Sequence, residues 1–566
     1  MPNHKHWLLL PLALASPVLG GSKKPCEKTT VAILSVINIY TEIIERLADD
    51  LDIVVVVSPV SQQPLVTYPH QSTVPVSNTV GLPLASPKQL FSSRLYHFRI
   101  QLRHWRSYAT YDLRTGREWS SYNRRTRRKL GAGVGNRRWS SEPYLASGTY
   151  FFSAWKAQKY GVKNTYSDYS SILTYDETGY ANYSSLFGDF ENAYSVAEEL
   201  AGTIESGNLQ DRSARAGFTR GDWRPKKDMK MQAIEWWEWD WEYAYEPEVS
   251  SLVFGIVNYN TTFYQWSDEN NFVWDQRGFN TWLKGEASTF LTKNDKRLRL
   301  STTVTNVTYS DTGVTITDSQ GSCYQAEYAI CTFSLGVLQN EAVSFQPEFP
   351  EWKQDGIDNF DMGTYTKIFL QFPADKVFWP KDTQYFLYAD PIERGYYPVF
   401  QSLDSPGFLE GSGILFVTVV HDQSYRVEAQ TDDETKNQVM AVLRDMFGAD
   451  KVPDPIAFMY PRWSLEPWAY GSYSNWPYGV TLEMHQNLRA NVGRLYFAGE
   501  ATSAEYFGFL QGAWYEGQSA AEEVVACLNG KCTQATHYAP LYGSTPVSQY
   551  DEQNGWTVTS FQTNGF

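Results

Sequence analysis

The sequence predicts an α/β protein, and three stretches carry that expectation. Residues 29–57 outline a β-α-β unit, residues 298–332 alternate as antiparallel strands do, and residues 432–447 and 511–528 have helical character.

In the first stretch, Thr29 to Leu34 (TTVAIL) and Asp52 to Val57 (DIVVVV) are short apolar runs of the kind buried on both sheet faces. Between them, Thr41 to Leu51 puts Ile43, Ile44, Leu47 and Leu51 on one face of a helix. In the second stretch, Leu298 to Val307, Val314 to Asp318 and Glu327 to Thr332 read as strands, with Asp311-Thr312-Gly313 as a turn. In the third, Thr431 or Asp432 supplies a side-chain oxygen to the first-turn N–H groups. Val439, Leu443, Met446 and Phe447 then line one face, and Gly448 stops the helix. Asn192 to Gly207 reads as a further amphipathic helix and Leu252 to Tyr264 as strand or loop. Residues 58–150 differ: Pro and Ser crowd 58–88, a basic run follows at Arg124 to Lys129, and periodicity is poor, so this region reads as loop. The residues from Thr533 onward read as a flexible tail.

With 566 residues, the chain is long enough for one large core or two domains. Its formal charge of -15 and lack of a dominant basic face argue against a nucleic-acid partner and favour a cationic small molecule. Aromatic residues make up 16%, a composition that suits either a stacking pocket or a large aromatic core. At the N-terminus, Lys5, the apolar run Trp7 to Leu19 and the small residues at Val18-Leu19-Gly20 read as a secretory signal over residues 1–20. That run is too short to span a bilayer. The sequons at Asn182, Asn260 and Asn306 fit a secreted, glycosylated chain. Five cysteines leave at least one unpaired within the chain. Cys527 and Cys532, close in sequence, are the candidate disulfide, with buried free thiols as the alternative.

The segment Gly493 to Ala513 carries the most chemistry. A short apolar strand, Leu495 to Ala498, runs into Gly499 and Glu500, and a Gly-rich turn then opens a long helix. A carboxylate at a strand end can accept hydrogen bonds from a polyol. A helix N-terminus offers N–H groups and a positive dipole end to an anionic group. The bland alternative is an ordinary βα corner with a surface glutamate.

The segment YFAGEATSAEYFGFLQGAWYEGQSAAEEV resembles the closing FAD-binding segment of flavin-containing amine oxidases. Trp274 to Phe279, Cys331 to Leu338, Asp361 to Leu370 and Tyr470 to Pro477 (YGSYSNWP) resemble further family segments in family order, the last in the polyamine-oxidase branch. The resemblance covers roughly residues 155–530 and implies an FAD/NAD(P)-binding doubly wound domain interleaved with a mixed α+β substrate domain. The FAD domain would take 29–155, 263–351 and 464–530, and the substrate domain 156–262 and 352–463. The resemblance implies that Lys367 holds a water against flavin N5. It places Tyr473 and Phe509 as aromatics flanking the substrate and Glu242 as an acidic tunnel residue. It puts Glu500, with Gly499, on the ribityl chain, Val304 at a backbone contact to adenine, and Gly508, Phe509 and Gly512 at the helix start that meets the cofactor. Monoamine oxidases attach their flavin to a cysteine near the YGSYSNWP position. None stands there in this chain, so non-covalent FAD is implied. The implied reaction is oxidation of an amine, a polyamine in particular, to an imine, with O₂ reduced to H₂O₂.

One family feature is missing. A dinucleotide fold places a Gly-rich phosphate loop after its first strand and an acid at the end of its second. Here the corner Ser35 to Tyr40 reads Ser-Val-Ile-Asn-Ile-Tyr, and DIVVVV ends in Ser58-Pro59. Ile37 and Ile39 are β-branched and resist the positive φ such a loop needs. Gly131-Ala132-Gly133-Val134-Gly135 follows a basic run rather than a strand, and Leu113 to Arg117 lacks one glycine of the family's later flavin loop. The alternative reading is therefore a secreted relative without flavin, or the product of a mis-spliced gene whose residues 35–154 cannot hold FAD. Copper amine oxidase chemistry lacks its Asn-Tyr-Asp/Glu context, since Asn258-Tyr259-Asn260 has no acid. Gly-x-Ser-x-Gly and His-Glu-x-x-His are both absent.

Overall fold

The computed structural model describes residues 26–35, 53–57, 152–207, 209–266, 271–504, 506–533 and 537–538. The expected signal segment, the helix at 41–51, the region 58–150 with its basic run and glycine cluster, the side chain of Asn260 and most of the tail lie outside these residues. So does the phosphate corner beyond Ser35.

Two large sheets organise the described residues. The eight-stranded sheet takes its strands from Glu27–Ser35 and Ile53–Val57, from five strands between Leu298 and Gln346, and from Leu495–Phe497. The apolar runs expected at its centre pair in parallel, with Val31 opposite Ile53 and Ser35 opposite Val57. On its other side, Glu27–Ser35 pairs in parallel with Cys323–Thr332, whose far end pairs in parallel with Leu495–Phe497. This is a doubly wound arrangement with an antiparallel extension, Val304–Ser310 against Gly313–Asp318 against Cys323–Thr332. The turn at Asp311-Thr312 stands as expected. The run Leu298 to Val307 is divided. Leu298–Arg299 pairs with Ile53–Val57, and Ser301, at φ 55, breaks the strand before Val304.

The seven-stranded sheet takes its strands from Ile172–Tyr180 and from Tyr365 to Met459. Its central strands, Tyr365–Gln371 and Ile414–Val420, are buried along their whole length. One face packs under the helix Asp432–Phe447, whose Val439, Met440, Leu443 and Met446 meet Ile368, Leu370, Leu415 and Val417. Thr431 closes a reciprocal capping box with Glu434, as expected for a hydroxyl at that position. Replacing Thr431 with Ala is expected to cost about 1 kcal/mol of stability, read as a lower denaturation midpoint at unchanged slope. The opposite face is covered by helices between Ser185 and Trp266.

Leu252 to Tyr264 is a correction. It forms the helix Leu252–Trp266 rather than strand or loop. Its short apolar start, Leu252 to Val257, fits a buried helix as well as a strand. Packing decides: Gly255 lies so close to Trp239 that a Cβ there would sit 2.9 Å from the indole. The helix expected from Asn192 starts earlier, at Ser185, and the last helix spans Leu510–Leu528.

Cys527 and Cys532 form a disulfide, and a second joins Cys26 to Cys323. No sequence proximity signals the second. The parallel register sets Glu27 opposite Tyr324 and so brings the preceding cysteines together. Cys331 is the free cysteine, buried in the sheet. Among the described residues no helix is long and apolar enough to cross a membrane, and no cluster has the composition of a metal site.

Candidate active site

The strand Tyr365–Gln371 alternates its side chains between two cores. Tyr365 and Phe369 join the core under the helices, while Ile368 and Leu370 join the other. Lys367 shares the face of Tyr365 and Phe369. It is 2% exposed, and its ammonium lies 4.7 Å from the centroid of Phe416 and 5.4 Å from that of Phe272. Ring faces partly offset the loss of hydration of a buried cation. Thr418 stands opposite Lys367 on the neighbouring strand.

Over this face passes the Trp-rich run. Asp228 caps the helix Met229–Glu235, which continues into a π-helical turn, Trp236–Asp240, and a last turn, Trp241–Tyr243. The wider turn shifts the register of Trp241–Tyr243, as such turns often do at functional sites. The turn is held by charge. Arg394 donates to both carboxylate oxygens of Asp240 and to Glu235, and Arg215 donates in bidentate fashion to Glu235. Burial pushes the Asp240 carboxyl up and Arg394 pulls it back, leaving it raised to about 7. The register thus set packs Trp241 against Tyr365, with ring centroids 5.9 Å apart, and buries Glu242.

Tyr473 completes this wall. Its hydroxyl donates to the Glu242 carbonyl oxygen at 3.2 Å, and its ring lies 5.9 Å from that of Tyr365. Burial, with the negative ends of Tyr473 and Glu242 nearby, holds the Tyr365 phenol well above its ordinary range, so it stays neutral.

Glu500 joins the wall to the last helix. It follows the strand Leu495–Phe497 and accepts from the Ser474 N–H at 3.1 Å, the Ser474 hydroxyl at 2.7 Å and the Gly508 N–H at 2.5 Å. Gly499 (φ 152) and Gly508 (φ 75) occupy the left-handed side of backbone space, which the turn needs and an L side chain resists. Among the described residues, nothing lies within 4 Å of where a Cβ on Gly499 would point. At Gly512 a Cβ would stand 2.3 Å from the Tyr506 carbonyl oxygen, so the helix start is packed directly on the turn before it. Phe509 is the N-cap residue, buried beside Tyr506 and packed with Tyr259 and Tyr515.

The structure therefore gathers Lys367, Glu242 and Tyr473 into one wall. Through Ser474 and Glu500 it ties that wall to Gly508 and Phe509. Val304 lies in the other sheet, at the start of Val304–Ser310 just before a register shift, in the same core as Leu495 and Phe497. Sequence reasoning missed Tyr365, Trp241 and Gln511. Tyr365 was legible in principle, since it stands two residues before Lys367 on a strand and must share its face. Trp241 depends on the π-helical register, which no sequence periodicity shows.

A family model for flavin containing amine oxidoreductase matches residues 189–525. The chain belongs to this family. Polyamine oxidase 7 of Oryza sativa subsp. japonica is 41% identical over 373 residues, covering 63% of this chain and 77% of the relative. Polyamine oxidase 1 of Zea mays is 36% identical over 383 residues, covering 66% and 74%. Among solved structures, putrescine oxidase bound to putrescine has a TM-score of 0.59 at 13% identity, over 89% of this chain and all of that one. Cyclohexylamine oxidase from Brevibacterium oxydans has a TM-score of 0.57 at 15% identity, over 88% and 99%. These two likenesses establish the fold. The protein is a flavin-dependent amine oxidoreductase with FAD as its non-covalent cofactor. Its described residues fit that group. Among the described residues, Gln511 at the helix start is fully buried with neither amide atom bonded, Gly499 leaves open space at the strand end, and Lys367 is a buried lysine on an aromatic wall.

Proposed function

We propose that this amine oxidoreductase is a secreted polyamine oxidase. The observation that carries the reading is the wall of Lys367, Tyr365, Trp241, Tyr473 and Glu242, joined by Glu500 to the helix that begins at Leu510. The family's cofactor, when bound, supplies the hydride acceptor and passes the electrons to O₂. The protein's own residues do the rest. Tyr473 and Phe509 orient a flexible amine by stacking and cation–π attraction and keep water out. Glu242 draws a second cationic nitrogen of the substrate, which favours polyamines over monoamines. Lys367 holds a water at its Nζ, placed to pass a proton. Glu500, Gly499, Gly508 and Gly512 hold the ribityl and ring end of the cofactor, and Val304 contacts adenine through its backbone.

We assign residues 29–155, 263–351 and 464–530 to the FAD domain and 156–262 and 352–463 to the substrate domain. The provenance of the strands in the two large sheets supports this division. The signal-like residues 1–20 and the sequons support secretion and glycosylation. The Asn182 side chain is exposed, though its carbonyl is bonded by Ser184.

Expression followed by a flavin spectrum and a peroxide assay with spermine, spermidine and their acetylated forms tests the reading. Yellow protein that releases peroxide from polyamines is expected. Folded protein that stays colourless and takes up no added FAD would favour the flavin-less alternative raised by the glycine-free corner at Ser35 to Tyr40. Glu500→Gln removes the negative charge that gathers Ser474 and Gly508. Its FAD dissociation constant is expected to rise by roughly tenfold or more, since a hydrogen bond to a charged group contributes about 1.5–3 kcal/mol. Equilibrium titration of the apoprotein measures it.

A further inference from the structure

The helix Leu510–Leu528 begins inside the protein, and its first turn is unusual in what it leaves unsatisfied. Phe509, the N-cap residue, has no side-chain acceptor to offer the first N–H groups. Two residues on, Gln511 is 0% exposed, and among the described residues neither its Oε1 nor its Nε2 has a hydrogen-bond partner. A buried amide left unpaired at both ends is costly, and native proteins seldom leave one without a partner. A partner that meets both ends at once has to offer a donor and an acceptor side by side, because the amide carries its acceptor oxygen and its NH₂ donors on the same carbon. It has to reach a turn whose neighbour Gly508 donates to Glu500.

The pyrimidine edge of an isoalloxazine has that pattern: an imide N3–H flanked by carbonyl oxygens. We infer that Gln511 reads the flavin's imide edge, its Oε1 accepting from N3–H and its Nε2 donating to a flanking carbonyl. The inference rests on the FAD reading above and adds a recognition residue to it. The role is one of cofactor selection: an amide distinguishes an imide from a ring that is alkylated at N3. The close fit at Gly512, where a Cβ would meet Ser503 as well as the Tyr506 carbonyl, keeps the turn from shifting to relieve a mismatch.

The test compares FAD with 3-methyl-FAD, in which the donor is blocked, by titrating apoprotein prepared from the holoenzyme and following flavin fluorescence. Wild type is expected to bind the methylated cofactor about tenfold more weakly, the scale of a single lost hydrogen bond with its unmatched partner. Gln511→Leu is expected to bind FAD more weakly than wild type and to bind the two cofactors equally. Circular dichroism confirms that the variant is folded. If Leu does not fold, Gln511→Glu serves: its carboxylate keeps an acceptor but loses the amide donor, so discrimination persists while FAD affinity drops. Equal binding of both cofactors by wild type overturns the inference and leaves the oxidase reading standing. So does discrimination that survives unchanged, at unchanged FAD affinity, in Gln511→Leu. A wild type that binds neither cofactor overturns both readings together.

Discussion

Lys367→Met is expected to lower the turnover of the FAD-loaded enzyme by roughly 100- to 1000-fold, the scale on which a positioned proton-handling group contributes, while leaving FAD content unchanged. The geometry makes this variant informative. Lys367 lies on a strand buried at all seven positions and faces the same core as Tyr365 and Phe369. Its ammonium is set among the rings of Phe416, Phe272 and Tyr365. Methionine is close in length and apolar, so it should fill that space with little strain. Loss of turnover at constant stability and constant flavin then reports the loss of the amino group. Rapid-mixing measurements under anaerobic and aerobic conditions show which half-reaction slows. If both half-reactions run at the wild-type rate, the cation serves packing alone, and the proton-handling role is lost.

Arg394→Met is expected to destabilise the protein by about 3–5 kcal/mol, because it strands a buried charge. Arg394 is the cation that bonds both oxygens of Asp240, a residue 2% exposed. Glu235 keeps Arg215 and Trp223, but among the described residues Asp240 keeps no comparable partner. Protonation would relieve part of the penalty. Asp240, already raised to about 7 by burial, would rise further once the Arg394 charge is gone. A protonated carboxyl no longer suffers the loss, so the variant's deficit should shrink as pH falls below the raised value. Chemical denaturation at two pH values measures this. The double variant Arg394→Met, Asp240→Leu should recover much of the stability, because it removes both charges together. A loss under about 1 kcal/mol, the level of a surface pair, would mean that water reaches Asp240. Activity should fall as well, since Asp240 ends the π-helical turn that delivers Trp241 and Glu242 to the wall.

Several parts of this molecule were legible from local pattern. The two apolar runs at the start are adjacent parallel strands, as short Val- and Ile-rich runs of about half a dozen residues suggest, being too short for a helix. The helix from Asp432 was readable to its ends, since its cap and its stop are both encoded by single residues. Lys367, Tyr473, Glu500 and Gly508 are candidates through family motifs alone, and their order in the chain says nothing about their contacts. Leu252 to Tyr264 was misread because its apolar half, Leu252 to Val257, is too short to show a period that distinguishes helix from strand.

The sequence by itself determined the α/β class, the elements with strong periodicity or clear caps, and the chemical types available to a flavin site. Only the tertiary structure decided that Glu500 bridges the Tyr473 strand to the last helix, that Cys26 meets Cys323, and that a π-helical turn points Trp241 at Tyr365. The physical reason is range. Caps, turns and alternation act between residues a few positions apart, whereas these contacts join residues 8 to 297 positions apart. They are set by strand register and by how side chains of fixed volume fill a shared interior.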